Sequence, residues 1–156
     1  MPDVEVTTTI AATPTAVYDL VSDVTRMGEW SPETTSCRWV DGDHAVVGAR
    51  FRGTNRHLLA RWTTTCTVTA AKRGRRFAFD VTFGPWAISE WAYDIDPADG
   101  GCRVTESWSD RRPTGLRLGS PLVMGITDRA RHNRAGMETT LAALKAEAER
   151  TGRTAH

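Results

Sequence analysis

Residues 61–110, RWTTTCTVTA AKRGRRFAFD VTFGPWAISE WAYDIDPADG GCRVTESWSD, carry the pattern that decides the fold. Their large apolar and aromatic residues fall on alternate positions: Trp62, Cys66 and Val68, then Phe77, Phe79 and Val81, then Trp91, Tyr93 and Ile95, then Val104 and Trp108. Successive strand residues point to opposite faces, so each group lines one side of its strand. Turn chemistry at Lys72-Arg73-Gly74, Gly84-Pro85 and Pro97-Ala98-Asp99-Gly100-Gly101 separates the strands. A long amphipathic helix follows from about Pro121 to Arg150. One helix against one sheet of this size predicts a sheet curled around it, with a gap between them that the alternating aromatic face lines.

Working outward, Val4 to Ile10 alternates apolar and polar residues as a first strand. Thr13-Pro14 reads as an N-cap with proline at the first helical position, opening a short helix over Thr15 to Val21. Ser22 or Asp23 caps a second short helix through Met27 to Trp30, which Ser31-Pro32 ends. Further strands are expected at about Cys37 to Val40, Ala49 to Arg56, Arg61 to Ala71, Arg75 to Phe83, Trp86 to Ile95 and Cys102 to Arg111. With the first strand this makes seven. The last helix is expected to open at Ser120-Pro121 and stop at Gly152, with Leu122, Ile126, Ala130, Met137, Leu141, Leu144 and Ala148 in one stripe that includes Asn133. The chain reads as one domain over residues 1–152, with 153–156 as a disordered tail.

At 156 residues the chain can bury roughly two thirds of its unfolded surface in a single core. Twenty basic residues against nineteen acidic ones give a net charge of +1, with no general attraction to nucleic acid or anionic membrane. The N-terminus has no basic region followed by an apolar core, and no stretch approaches the roughly 18 apolar residues of a membrane span. A cytoplasmic monomer or homodimer is expected. Cys37, Cys66 and Cys102 have neither the number nor the spacing of a disulfide framework or a zinc site. Cys66 reads as a small buried hydrophobe. The four histidines show no i,i+4 pairing and no phosphate loop or nucleophile elbow is present, so neither a metal nor a cofactor is expected.

The chain resembles the SRPBCC superfamily, which includes START-like lipid-binding domains, plant pathogenesis-related ligand binders and bacterial aromatase/cyclases. It is similar above all to the actinobacterial polyketide cyclase/dehydrase-like branch. The resemblance lies in Ala12-Thr13-Pro14-Thr15-Ala16-Val17-Tyr18, in Gly48-Ala49-Arg50-Phe51-Arg52-Gly53-Thr54-Asn55-Arg56 and in Gly74-Arg75-Arg76-Phe77-Ala78-Phe79. It continues through Gly100-Gly101-Cys102-Arg103-Val104-Thr105-Glu106-Ser107-Trp108 and Leu141-Ala142-Ala143-Leu144-Lys145. It implies an α+β helix-grip fold with an internal cavity, and no shared catalytic set.

Several polar residues share the inward parity. Glu106 lies between Val104 and Trp108; a carboxylate there loses hydration and can act as general acid or base, orient a ligand, or pair with an arginine at the sheet end. Tyr93 adds a hydroxyl, so Glu106 and Tyr93 are the candidate catalytic residues. Asn55 can hydrogen-bond a ligand carbonyl or phenol, whereas His57, near a strand end, is expected to be exposed. Asn133 interrupts an apolar helix face, and a ligand, a water or a strand side chain must satisfy its amide. With Ser89 these form a sparse polar set among Trp62, Phe77, Phe79, Trp91, Trp108 and Met137, the usual composition of a small-molecule site. Those rings either wall a cavity or simply fill it. Three functions stay open: a carrier or sensor of a hydrophobic, aromatic or polyketide-like molecule, a cyclase or dehydratase acting in the same cavity, or a protein-interaction module with a filled interior.

Overall fold

The computed structural model describes residues 2–113 and 129–154. Seven strands form one antiparallel sheet: β1 (Val4–Ile10), β2 (Thr34–Asp41), β3 (Arg50–His57), β4 (Ala60–Lys72), β5 (Arg76–Phe83), β6 (Trp86–Ala98) and β7 (Gly101–Asp110). Their order is β1-β7-β6-β5-β4-β3-β2, so β2 to β7 form a meander and β1 closes its far edge against β7. Two short helices make the crossing from β1 to β2: α1 (Pro14–Ser22) and a 3-10 helix (Val24–Glu29), where the sequence predicts a second short helix. The long helix α2 (Arg129–Thr154) packs mainly along β1 and α1. This is the helix-grip fold.

Local chemistry accounts for the α1 start. Thr13 is its N-cap, Pro14 stands at the first helical position, and the Ala16 N–H donates to Thr13 Oγ1 at 3.2 Å. Thr13→Ala is expected to cost about 1 kcal/mol of stability in urea unfolding, because the Ala16 amide loses its acceptor. The 3-10 segment lacks such a cap: Asp23 spends its carboxylate on the Thr25 hydroxyl at 2.5 Å and gives no side-chain cap to the backbone.

The curl of the sheet comes from irregularities that no alternation pattern shows. Register shifts occur between Thr34 and Ser36 and between Trp39 and Asp41 in β2, between Val68 and Ala70 in β4, and opposite Val81/Thr82 in β6, where Ile88 is the extra residue. Each extra residue bends its strand and increases the local twist.

The two ends of the grip are packed differently. The C-terminal half of α2 sends Leu141, Leu144 and Ala148 into a core with Ile10, Val17, Val21, Phe77 and Val104. Phe77, expected to touch ligand, belongs here: it is fully buried, edge-on to Tyr18 of α1 with ring centroids 6.5 Å apart. Because α1 covers that end of β5, the ring fills the core and does not face the gap. The N-terminal half of α2 lines a cavity, as described below.

Two helix expectations change and a third falls outside the described residues. The start at Ser120-Pro121, with Leu122 and Ile126, lies outside the described residues. Ala130 is exposed, since periodicity assigns a face without saying whether anything covers it. The helix also runs past Gly152 to Thr154. Glycine inside a helix costs only about 1 kcal/mol against alanine, so it need not end one.

Candidate ligand-binding cavity

Between the concave sheet face and the N-terminal half of α2 lies a cavity of about 670 Å³. That is within the size range of small-molecule sites. Strands β2 to β7 and the N-terminal half of α2 supply its walls. Trp62, Trp91 and Trp108 line it together with Phe79 and Met137, so the aromatic side chains wall the space and do not plug it. Trp91 and Trp108 stand with ring centroids 6.5 Å apart.

The polar residues expected at the site, Asn55, Ser89, Tyr93, Glu106 and Asn133, all line the same cavity. Tyr93 and Glu106 are opposite one another in the β6–β7 register, and the Tyr93 hydroxyl donates to Glu106 Oε1 at 2.9 Å. Glu106 Oε2 is buried with no partner among the described residues. Burial pushes the Glu106 carboxyl up to about 8, the Tyr93 hydrogen bond offsetting part of the shift. Burial, then the neighbouring carboxylate, raises Tyr93 well above the usual phenol range. At neutral pH Glu106 therefore favours the neutral acid: Oε1 accepts from Tyr93, and the protonated Oε2 is a buried donor without a partner among the described residues. Among the described residues Glu106 has no arginine partner of the kind the salt-bridge reading required.

Asn133 Nδ2 is likewise buried and unpartnered among the described residues. Asn55 differs. Its Oδ1 accepts from the Thr34 hydroxyl at 3.3 Å and its Nδ2 donates to Thr64 Oγ1 at 3.4 Å, so β2 and β4 hold its orientation while one N–H and one acceptor lone pair remain beyond these two bonds. Cys66 also lines the cavity, and burial raises its thiol far above the ordinary range, as suits an inert buried hydrophobe.

Sequence reasoning missed a group at one end of the cavity. Glu33, Arg129 and His132 line it, and the Arg129 guanidinium spans Glu33 with Nη1 and Nη2 at 3.3 and 3.2 Å from Oε1 and Oε2. Arg129 also lies over the Trp62 ring, 6.0 Å from its centroid. His57, expected to be exposed, is half-buried and packs edge-to-face on His132 with ring centroids 4.6 Å apart. Glu33, His57 and the Arg129–His132 pair of α2 come from three separate segments, so no spacing rule within one segment finds the group.

No helix among the described residues is long and apolar enough to cross a membrane. The family model described as "Polyketide cyclase / dehydrase and lipid transport" matches residues 1–149. The solution NMR structure of a polyketide-cyclase-like protein from Corynebacterium glutamicum is 36% identical, with 91% of this chain and 88% of that chain covered and a TM-score of 0.61. The di-domain ARO/CYC StfQ of the steffimycin biosynthetic pathway aligns at 13% identity over 96% of this chain and 51% of that chain, with a TM-score of 0.73. Major latex-like protein 151 of Panax ginseng aligns at 12% identity over 93% of this chain and 95% of its own, with a TM-score of 0.69. No curated protein matches the sequence.

Proposed function

Because the chain belongs to the polyketide cyclase/dehydrase and lipid transport family, we propose that its cavity binds a flat, largely apolar small molecule bearing carbonyl or phenol oxygens, which the protein carries or senses. The observation that carries this reading is a hollow of about 670 Å³ with aromatic walls, two of whose lining residues hold a buried polar atom with no partner among the described residues, Glu106 Oε2 and Asn133 Nδ2. Leaving each unsatisfied costs about 1 to 3 kcal/mol, so a ligand that offers acceptors to both recovers that cost on binding. The indole walls supply stacking area. A protein-interaction module with a filled interior does not fit this hollow.

The test is quenching of tryptophan fluorescence by a hydroxyanthraquinone, a rigid aromatic with carbonyl and phenol oxygens. Binding should saturate in the parent, and Asn133→Leu should weaken it about tenfold by removing one donor. Equal affinity in the variant would remove Asn133 from the site. No binding of such probes, together with no small molecule retained in native mass spectrometry, would overturn the reading.

A second reading, the cyclase or dehydratase, is favoured by the Tyr93–Glu106 pair. A neutral carboxyl with its pKa near 8 can give a proton to a ligand oxygen or take one back near neutral pH. Holding a folded poly-carbonyl chain against the indole walls would lower the entropic barrier to ring closure. A poly-β-keto thioester separates the two readings: an enzyme yields cyclised product in the parent and none in Glu106→Gln, while a carrier yields none in either.

A further inference from the structure

We infer that Glu33, His57 and His132 form a binding site for a divalent first-row transition ion, of which Zn²⁺ is the type, in the wall at one end of the cavity. Three segments far apart in sequence meet there: Glu33 precedes β2, His57 ends β3 and His132 lies in the first turn of α2. One ligand atom from each lies within 4.8 Å of the other two. His132 Nε2 and Glu33 Oε1 are 2.5 Å apart.

Two imidazoles and one carboxylate make the donor set of three-ligand sites that leave a coordination position open. A tetrahedral ion with bonds of about 2.1 Å holds its ligand atoms roughly 3.4 Å apart. The Glu33–His132 contact must then open by under about an ångström while His57 closes in. All three residues are half-buried, which gives an ion both a route from solvent and partial shelter from it. Arg129 already grips the Glu33 carboxylate through both oxygens, and hydrogen bonds of that kind orient ligating carboxylates. Its positive charge also opposes the ion, which sets an upper limit on affinity. Glu33 and His132 line the cavity, so an ion held by them would border it. A carbonyl or phenolate oxygen is the ligand class the ion would accept.

The rival is a plain hydrogen-bond cluster in which a proton joins His132 to Glu33 and no ion enters. Isothermal titration with Zn²⁺ alone and Co²⁺ absorption spectra distinguish the two. The parent should take one ion per chain, with the visible spectrum of a site below six-coordination and no thiolate charge-transfer band. His57→Gln and His132→Gln should each weaken binding at least roughly tenfold. Their folding is checked by circular dichroism.

One further measurement needs no variant: substoichiometric Co²⁺ should broaden the imidazole resonances of His57 and His132 and spare that of exposed His44. No saturable binding overturns the assignment, as does binding unchanged in both variants. A thiolate band, or broadening of His44 to the same extent, would show that the ion goes elsewhere. None of these readouts depends on the cavity holding an organic ligand.

Discussion

Raising the pH from about 4.5 to about 8 is expected to remove on the order of 4 kcal/mol of folding stability from the parent protein that Glu106→Gln retains. The cause is burial, which lifts the folded carboxyl from its ordinary 4.5 to about 8. Below the unfolded pKa both states hold the proton and Glu106 costs nothing. Between the two values the unfolded chain ionises while the folded one keeps its proton. The balance then moves toward unfolding by roughly 1.4 kcal/mol per pH unit. Above about 8 the folded carboxyl ionises as well and the loss levels off. Glutamine keeps an acceptor for Tyr93 and a donor in place of Oε2 but does not titrate. Urea unfolding of both proteins at about pH 5 and about pH 8.5 should show the gap widening by several kcal/mol in favour of the variant. A constant gap would mean that Glu106 is already ionised in the fold, and the neutral-donor role would fall with it.

Gly101→Ala is expected to destabilise by about 3 kcal/mol, while the same change at adjacent Gly100 costs about 1 kcal/mol. A methyl on Gly101 would sit 2.0 Å from the Ile10 carbonyl oxygen and 3.0 Å from Ala11 Cα and Ala12 N. All three are backbone atoms, so no rotamer change relieves the clash. Ile10 pairs with Cys102 in the β1–β7 register, and both side chains are fully buried, so separating the strands there also opens the core. Gly100 has open space around its Cβ direction and needs only its positive φ of 76°. Thermal or urea unfolding of the two variants reads the difference. Equal losses would mean that the start of β7 yields and the approach of β1 is not rigid.

Much of this fold was legible because its causes are local. The Thr13-Pro14 cap, the Val4–Ile10 strand and the inward run Val104, Glu106, Trp108 follow from propensity and period, and burial agrees with each. The meander followed from turns at Lys72-Arg73-Gly74 and Gly84-Pro85, whose glycines have φ of +77° and +58°. Strand parity and the helix stripe together placed ten of the eleven expected residues in the cavity lining. Parity failed at Phe77, because it selects a face of the strand and cannot tell the end covered by α1 from the end left open.

The histidines mark the other boundary. His57 read as a strand end and His132 as one position on a helix, and neither neighbourhood contains a second ligand. Their contact with Glu33 spans three elements, with His132 and Glu33 separated by 99 residues. The unpartnered Nδ2 of Asn133 and the Thr34 and Thr64 contacts of Asn55 are likewise settled by what the fold brings near them from distant sequence.

By itself the order of residues determined the strands, their inward faces, the capped helix and the kinds of side chain that meet inside, since alternation and capping act over a few neighbouring residues. Only the tertiary structure decided that the interior is hollow at one end and packed at the other, that the Glu106 carboxyl is held neutral, and that Glu33, His57 and His132 converge. Those outcomes depend on where the sheet bends and what packs against it, and no local interaction energy encodes that.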